Sequence, residues 1–144
     1  MIEKDWNDCL ENNSARKIFR DKAKARSLIE TSKNRIRFIN SNEKSKNEFL
    51  NFIFEEYYSS ILEILHALAI LDEFRVSNHI CIGFYLKKIL KKEELFILFD
   101  NLRFKRNSIM YYGKTMNLET AKRAIDDSKF LIDELSKMLE KKLQ

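Results

Sequence analysis

The sequence predicts an all-α protein: an antiparallel up-and-down bundle of four to five main helices, in one domain over residues 1–144. Three observations predict it. The chain has no proline and only two glycines, Gly83 and Gly113, among 144 residues. Sandwiches, βαβ sheets and long linkers need frequent turn residues, so this scarcity argues against them. Apolar residues recur at the three- and four-residue steps of a helix, and no strand-like alternation with turn punctuation is visible. Finally, the chain is 44% hydrophobic and 34% charged, too apolar for disorder and too charged for a membrane protein. A chain of this size can bury roughly two thirds of its unfolded surface in one core.

Residues 1–14 read as a short N-terminal helix, from about Glu3 to Glu11, that ends in the Asn12-Asn13-Ser14 cluster. Residues 15–144 read as the bundle. Asp21 can cap a long helix to about Ile39, with Ala25, Leu28, Ile29, Ile36 and Ile39 as its apolar stripe. The polar run from Asn40 to Ser45 is a loop. The most apolar helix follows, from about Asn47 to Leu71, and belongs at the centre of the core. Ser77 is the expected N-cap of a shorter helix to about Leu90. The next spans about Glu93 to Tyr112 and stops at Gly113, which suits a left-handed cap. Asn117 caps the last helix, whose stripe is Ala121, Ala124, Ile125, Ser128, Leu131, Ile132, Leu135, Met138 and Leu139.

The net charge of +5 is unevenly spread. Residues 16–46 hold eleven Lys/Arg against three acids, residues 47–75 one against six, and residues 87–114 eight against three. A basic pole of this kind suits nucleic acid or an acidic partner. The apolar stretch from Ile61 to Leu71 is interrupted by Glu63 and His66 and falls short of the roughly 20 residues that cross a bilayer, so no membrane role is expected. Met1-Ile2-Glu3-Lys4-Asp5 has no apolar core and does not read as a signal peptide. Cys9 and Cys81 offer neither a disulfide framework nor a metal-ligand spacing, which points to a reducing cytoplasm.

No glycine-rich phosphate loop, CxxC, HExxH or nucleophile elbow is present, so neither a cofactor nor a metal site is expected. His66 lies in an apolar run and His79 near a helix start, positions that packing or capping explains. The unusual feature is the stripe Leu95, Leu98, Phe99, Leu102, Arg106, Ile109. Arg106 takes a slot where an aliphatic residue belongs, and a guanidinium is costly to bury without acceptors for its five N–H groups. Asn107 and Tyr111, four residues apart, share the neighbouring face. Either Arg106 is ion-paired to a carboxylate such as Glu55 or Glu56 on the central helix, or it lines a polar cleft, at or near a subunit interface, for a phosphate-bearing ligand.

The segment Phe54-Glu55-Glu56-Tyr57-Tyr58-Ser59, followed by a penultimate helix that ends in Arg106-Asn107 before aromatic residues and Gly113, resembles the HEPN superfamily (higher eukaryotes and prokaryotes nucleotide-binding). The similarity spans about residues 20–140 and is nearest to small stand-alone prokaryotic and archaeal members. It implies a bundle of four or five helices that forms a homodimer, with two motif copies meeting across a cleft. Many members are metal-independent ribonucleases, toxins partnered by a nucleotidyltransferase antitoxin. Their motif is Arg, a polar residue, and a His after four to six further residues. Arg106 and Asn107 match, but Tyr111, Tyr112 and Gly113 occupy the His window, and a phenol with a pKa of about 10 replaces an imidazole near 6.5 poorly.

The leading expectation is therefore a cytoplasmic HEPN-like dimer without ordinary nuclease activity. It would bind a nucleotide, RNA or a nucleotidyltransferase through Arg106, Asn107, Tyr111, Tyr112 and Glu55. An alternative is a metal-independent RNA endonuclease in which Arg106 and Asn107 act with Tyr111, or with His66 or His79. A second alternative is a non-catalytic helical module whose Lys33, Arg35 and Arg37 dock on an acidic partner.

Overall fold

The computed structural model describes residues 2–42 and 46–144, so most of the expected loop after Asn40 lies outside the described residues. The fold is a predominantly helical bundle: α1 (Trp6–Glu11), β1 (Ala15–Lys17), α2 (Lys22–Asn40), a 3₁₀ turn (Asn47–Phe49), α3 (Leu50–Leu71), β2 (Phe74–Val76), α4 (His79–Lys88), α5 (Glu93–Tyr112) and α6 (Leu118–Leu143). None of the helices is long and apolar enough to cross a membrane.

Local chemistry sets most boundaries. Asp21 Oδ1 accepts from Lys24 N at 3.0 Å and Asn117 Oδ1 from Thr120 N at 2.8 Å, each satisfying a free amide of a first turn. Gly113 ends α5 at φ 62°, where any residue with a Cβ is strained. The α4 cap differs from expectation. Asn78, not Ser77, holds Cys81 N at 2.8 Å, because the Ser77 hydroxyl and amide are both spent on Ser14 O.

At the centre is α3. From Phe54 to Leu71 it is buried on most sides, as expected of a helix packed all round. It lies against α2 and α6 and also meets α4 and α5. Arg35 of α2 clamps it, with Nη1 at 2.8 Å from Glu56 and Nε at 3.0 Å from Glu63. The stripe of α6 packs as the sequence implies, with Ala121, Ala124, Ile125, Ser128, Leu131, Ile132, Leu135 and Leu139 buried. Helices α4 and α5 pack closely where Gly83 faces the ring of Phe99: a Cβ there would stand 3.3 Å from that ring.

Two expectations are corrected. The chain does contain strands: β1 and β2 pair antiparallel, with Ala15 opposite Val76, Arg16 opposite Arg75 and Lys17 opposite Phe74. Three residues each is too short for an alternation to register, and the two strands lie on either side of α2 and α3 in the chain. The cysteines do form a bond. Cys9 and Cys81, 72 residues apart and both fully buried, are joined as a disulfide that fastens α1 to α4. Only the packing of α1 on α4, invisible in their spacing, brings them together.

Candidate functional site

Helix α5 turns Arg106 inward, on the side of the fully buried Phe99 and Leu102, as the helical phase requires. Arg106 is half-buried. Its guanidinium lies 5.7 Å from the centroid of the Tyr58 ring, within cation–π range. Tyr58 is itself buried and stacked on Phe99, with centroids 5.9 Å apart and planes 12° from parallel. The Tyr58 hydroxyl and His79 Nδ1 are hydrogen-bonded at 3.1 Å. The Asn78 cap sets His79 at the first position of α4, and the close α4–α5 packing brings that turn beside Arg106.

Arg103, one turn earlier on α5, pairs with Asp100, Nε to Oδ1 at 3.0 Å and Nη2 to Oδ1 at 2.9 Å. Its guanidinium lies 4.7 Å from the Phe104 ring. No carboxylate forms an ion pair with Arg106 among the described residues. The expected partners do not meet it: Glu56 is held by Arg35, and Glu55, half-buried on α3, makes no ion pair with it. Asn107 is half-buried beside Arg106, whereas Tyr111 and Tyr112 are exposed at the end of α5. Tyr111 is near enough to act electrostatically on the Tyr58 phenol.

The cluster is poised with neutral rings. Burial, then the charges of Arg106 and Arg103, push the His79 pKa below its ordinary value. Burial raises that of Tyr58, and the two arginines only partly oppose it. At neutral pH the site thus presents an unprotonated imidazole, a protonated phenol, the Arg103–Asp100 pair and the cation of Arg106, a surface that attracts an anion and can accept a proton. Among the described residues no group of three or more His, Cys, Asp or Glu could hold a metal ion.

Sequence reasoning brought forward Arg106, Asn107 and Tyr111 but not the centre of the cluster. Tyr58 belongs to the segment Phe54-Glu55-Glu56-Tyr57-Tyr58-Ser59 that carries the family resemblance, but nothing in the sequence assigns it to the site. His79 reads in the sequence as a capping or packing residue and, with His66, as a candidate base in the endonuclease alternative. The legible signal was the Asn78-His79 pair at a helix start, which fixes a ring at a helix terminus. The chain matches no protein-family model, no curated protein and no solved structure.

Proposed function

We propose that the chain is a single HEPN-like domain whose Arg106 cleft binds the phosphate of a nucleotide or RNA, without ordinary nuclease activity. One observation carries this reading: a half-buried guanidinium within cation–π range of the Tyr58 ring, whose hydroxyl is bonded to His79, with no carboxylate paired to it among the described residues. Anions satisfy such a group well, because phosphate accepts two N–H bonds of the guanidinium at once. In this reading Asn107, Tyr111, Tyr112 and Glu55 would supply the remaining ligand contacts, and a nucleotidyltransferase antitoxin is the protein partner it implies. Arg106→Ala should leave the fold intact and weaken binding of a short mixed-sequence RNA or a nucleoside triphosphate by about a hundredfold. Calorimetric titration tests this, and equal affinities of the two proteins would end the proposal.

His79 favours a second reading, a metal-independent endonuclease. A neutral imidazole beside Arg106 could take the 2′-hydroxyl proton that the missing motif histidine takes in the family. RNA cleavage in EDTA by the wild type, lost in both Arg106→Ala and His79→Ala, is what that reading requires. The third, an acidic-partner dock on Lys33, Arg35 and Arg37, is weakened because Arg35 is committed to Glu56 and Glu63.

The proposed homodimer would form through the outer face of α5. Ile97 and Phe104 stand seven residues apart and are 58% and 61% exposed. That spacing is the seam of a helix meeting an identical helix about a two-fold axis. In this arrangement the Arg106 sites face away from the seam, unlike the shared cleft the resemblance implies. Phe104→Glu should convert a dimer to a monomer in sedimentation experiments. A wild type already monomeric would exclude this interface.

The cytoplasm remains the proposed compartment, with one condition set by Cys9–Cys81. Disulfides are rare where thiols are kept reduced, the cytosol of heat-adapted organisms being the exception.

A further inference from the structure

The outward side chains of the β1–β2 ribbon have no evident role in the fold. Ala15, Phe74 and Val76 are buried on its inner side, whereas Arg16 and Arg75, directly opposite each other, are both exposed. Opposed residues of an antiparallel pair have Cβ atoms about 5 Å apart, where like charges repel and destabilise the ribbon. Among the described residues neither guanidinium makes an ion pair. The nearest acids along the chain are not used for relief. Asp72 is occupied by the Tyr85 hydroxyl at 2.6 Å and Lys142 Nζ at 2.8 Å, and Glu73 pairs with neither arginine. Two residues beyond β1 in the chain, Phe19 is 94% exposed.

We propose that this ribbon is a second nucleic-acid contact. Arg16 and Arg75 together hold one phosphodiester of a single-stranded RNA, and Phe19 offers a stacking surface to a neighbouring base. Paired guanidiniums suit phosphate because each presents a planar fork of donors. Aromatic rings beside cationic grooves are the common device for single strands. A strand that occupies the Arg106 cleft could also reach the ribbon, since Arg75 is four residues before His79, at most about 14 Å along the chain. The inference rests on the preceding reading only in its choice of RNA as ligand.

The test is fluorescence anisotropy with a short labelled mixed-sequence RNA, repeated between about 50 and 200 mM salt. The joint Arg16→Gln and Arg75→Gln variant should bind about tenfold more weakly, and its log–log salt slope should flatten by about 0.7, the share of one phosphate on a single strand. Its melting temperature should stay level or rise, because a repulsion has been removed. Phe19→Ala should weaken binding by at least about fivefold. Unchanged affinity and slope overturn the proposal. So does a double variant that loses polyglutamate binding while keeping RNA, which would make the ribbon a protein dock. Inorganic phosphate binding as tightly as RNA would also overturn it, leaving a free-anion site. Arg106→Ala in the same assay separates the two readings. If only that variant loses RNA, the cleft stands and the ribbon falls; if only the ribbon variant does, the reverse holds.

Discussion

Replacing Cys9 and Cys81 together by alanine should lower the unfolding free energy by about 4 kcal/mol, the chain entropy released when a cross-link of this loop length is lost. The bond joins residues 72 apart, so without it the unfolded chain gains most of its conformational freedom between α1 and α4. Urea unfolding of wild type and double variant, both without reductant, gives the difference directly. Wild type treated with a phosphine reductant in denaturant should move to the variant's midpoint. Coincident curves before reduction would mean that the bond does not form. Trapping the thiols in freshly lysed cells answers the related question of compartment. Alkylation of both cysteines would show a reduced protein in the cell, and protection of both an oxidised one.

The same bond bears on the site. Cys81 lies in the first turn of α4, with its amide on the Asn78 cap, and His79 belongs to that turn. Glu3 adds a second tie, accepting from Asn12 at 2.8 Å, Ser14 at 3.0 Å and Asn78 at 3.3 Å. The N-terminal helix, which by sequence looks like an appendage, thus braces the turn that aims His79 at Tyr58. On the far side, Asn51 of α3 holds both the amide and the carbonyl of Met116, at 2.8 and 3.2 Å, and so anchors the chain just after α5. The cluster is positioned from both ends by side chains distant in sequence.

This explains what could and could not be foreseen. Asp21, Gly113 and Asn117 acted as expected because caps are local: the residue and the amide or backbone angle it serves lie within three positions. The inward phase of Arg106 was legible for the same reason, since a helix fixes the direction of each side chain relative to its neighbours. What Arg106 meets is a property of packing. A carboxylate on α3 was the natural expectation, yet Glu56 turns to α2, and the ring of Tyr58 takes its place. The β1–β2 pairing, the Cys9–Cys81 bond and the Arg35 clamp also join elements far apart in the chain, and a single sequence holds no record of such contacts. Ser77 and Asn78 differ for a subtler reason. Both can cap, and the choice fell to Asn78 once the ribbon had claimed Ser77.

Acid should destabilise the protein through His66 well before its carboxylates titrate fully. His66 lies on α3, half-buried, and its pKa falls from 6.5 to about 4 through burial first and then through His79 and Lys24. Below pH 6.5 the unfolded chain takes up this proton while the folded chain does not, so stability is complete above that value and declines as pH falls toward 4. Over the whole window the loss approaches about 3 kcal/mol, at 1.36 kcal/mol per unit of pKa difference. His79, also depressed, adds a decline of the same sign. Urea unfolding at several pH values, in wild type and His66→Leu, isolates the effect. The variant's stability should fall less steeply between pH 6.5 and 4, by most of that amount, with carboxylate contributions cancelling in the difference. Parallel curves would place His66 in contact with water rather than in the core. A bound phosphate at Arg106 would show itself in the same experiment, because an anion there offsets the cations that depress His79. RNA should therefore raise the pKa of His79, read from its ring proton shifts, and leave that of His66 nearly fixed, since burial rather than charge dominates the latter.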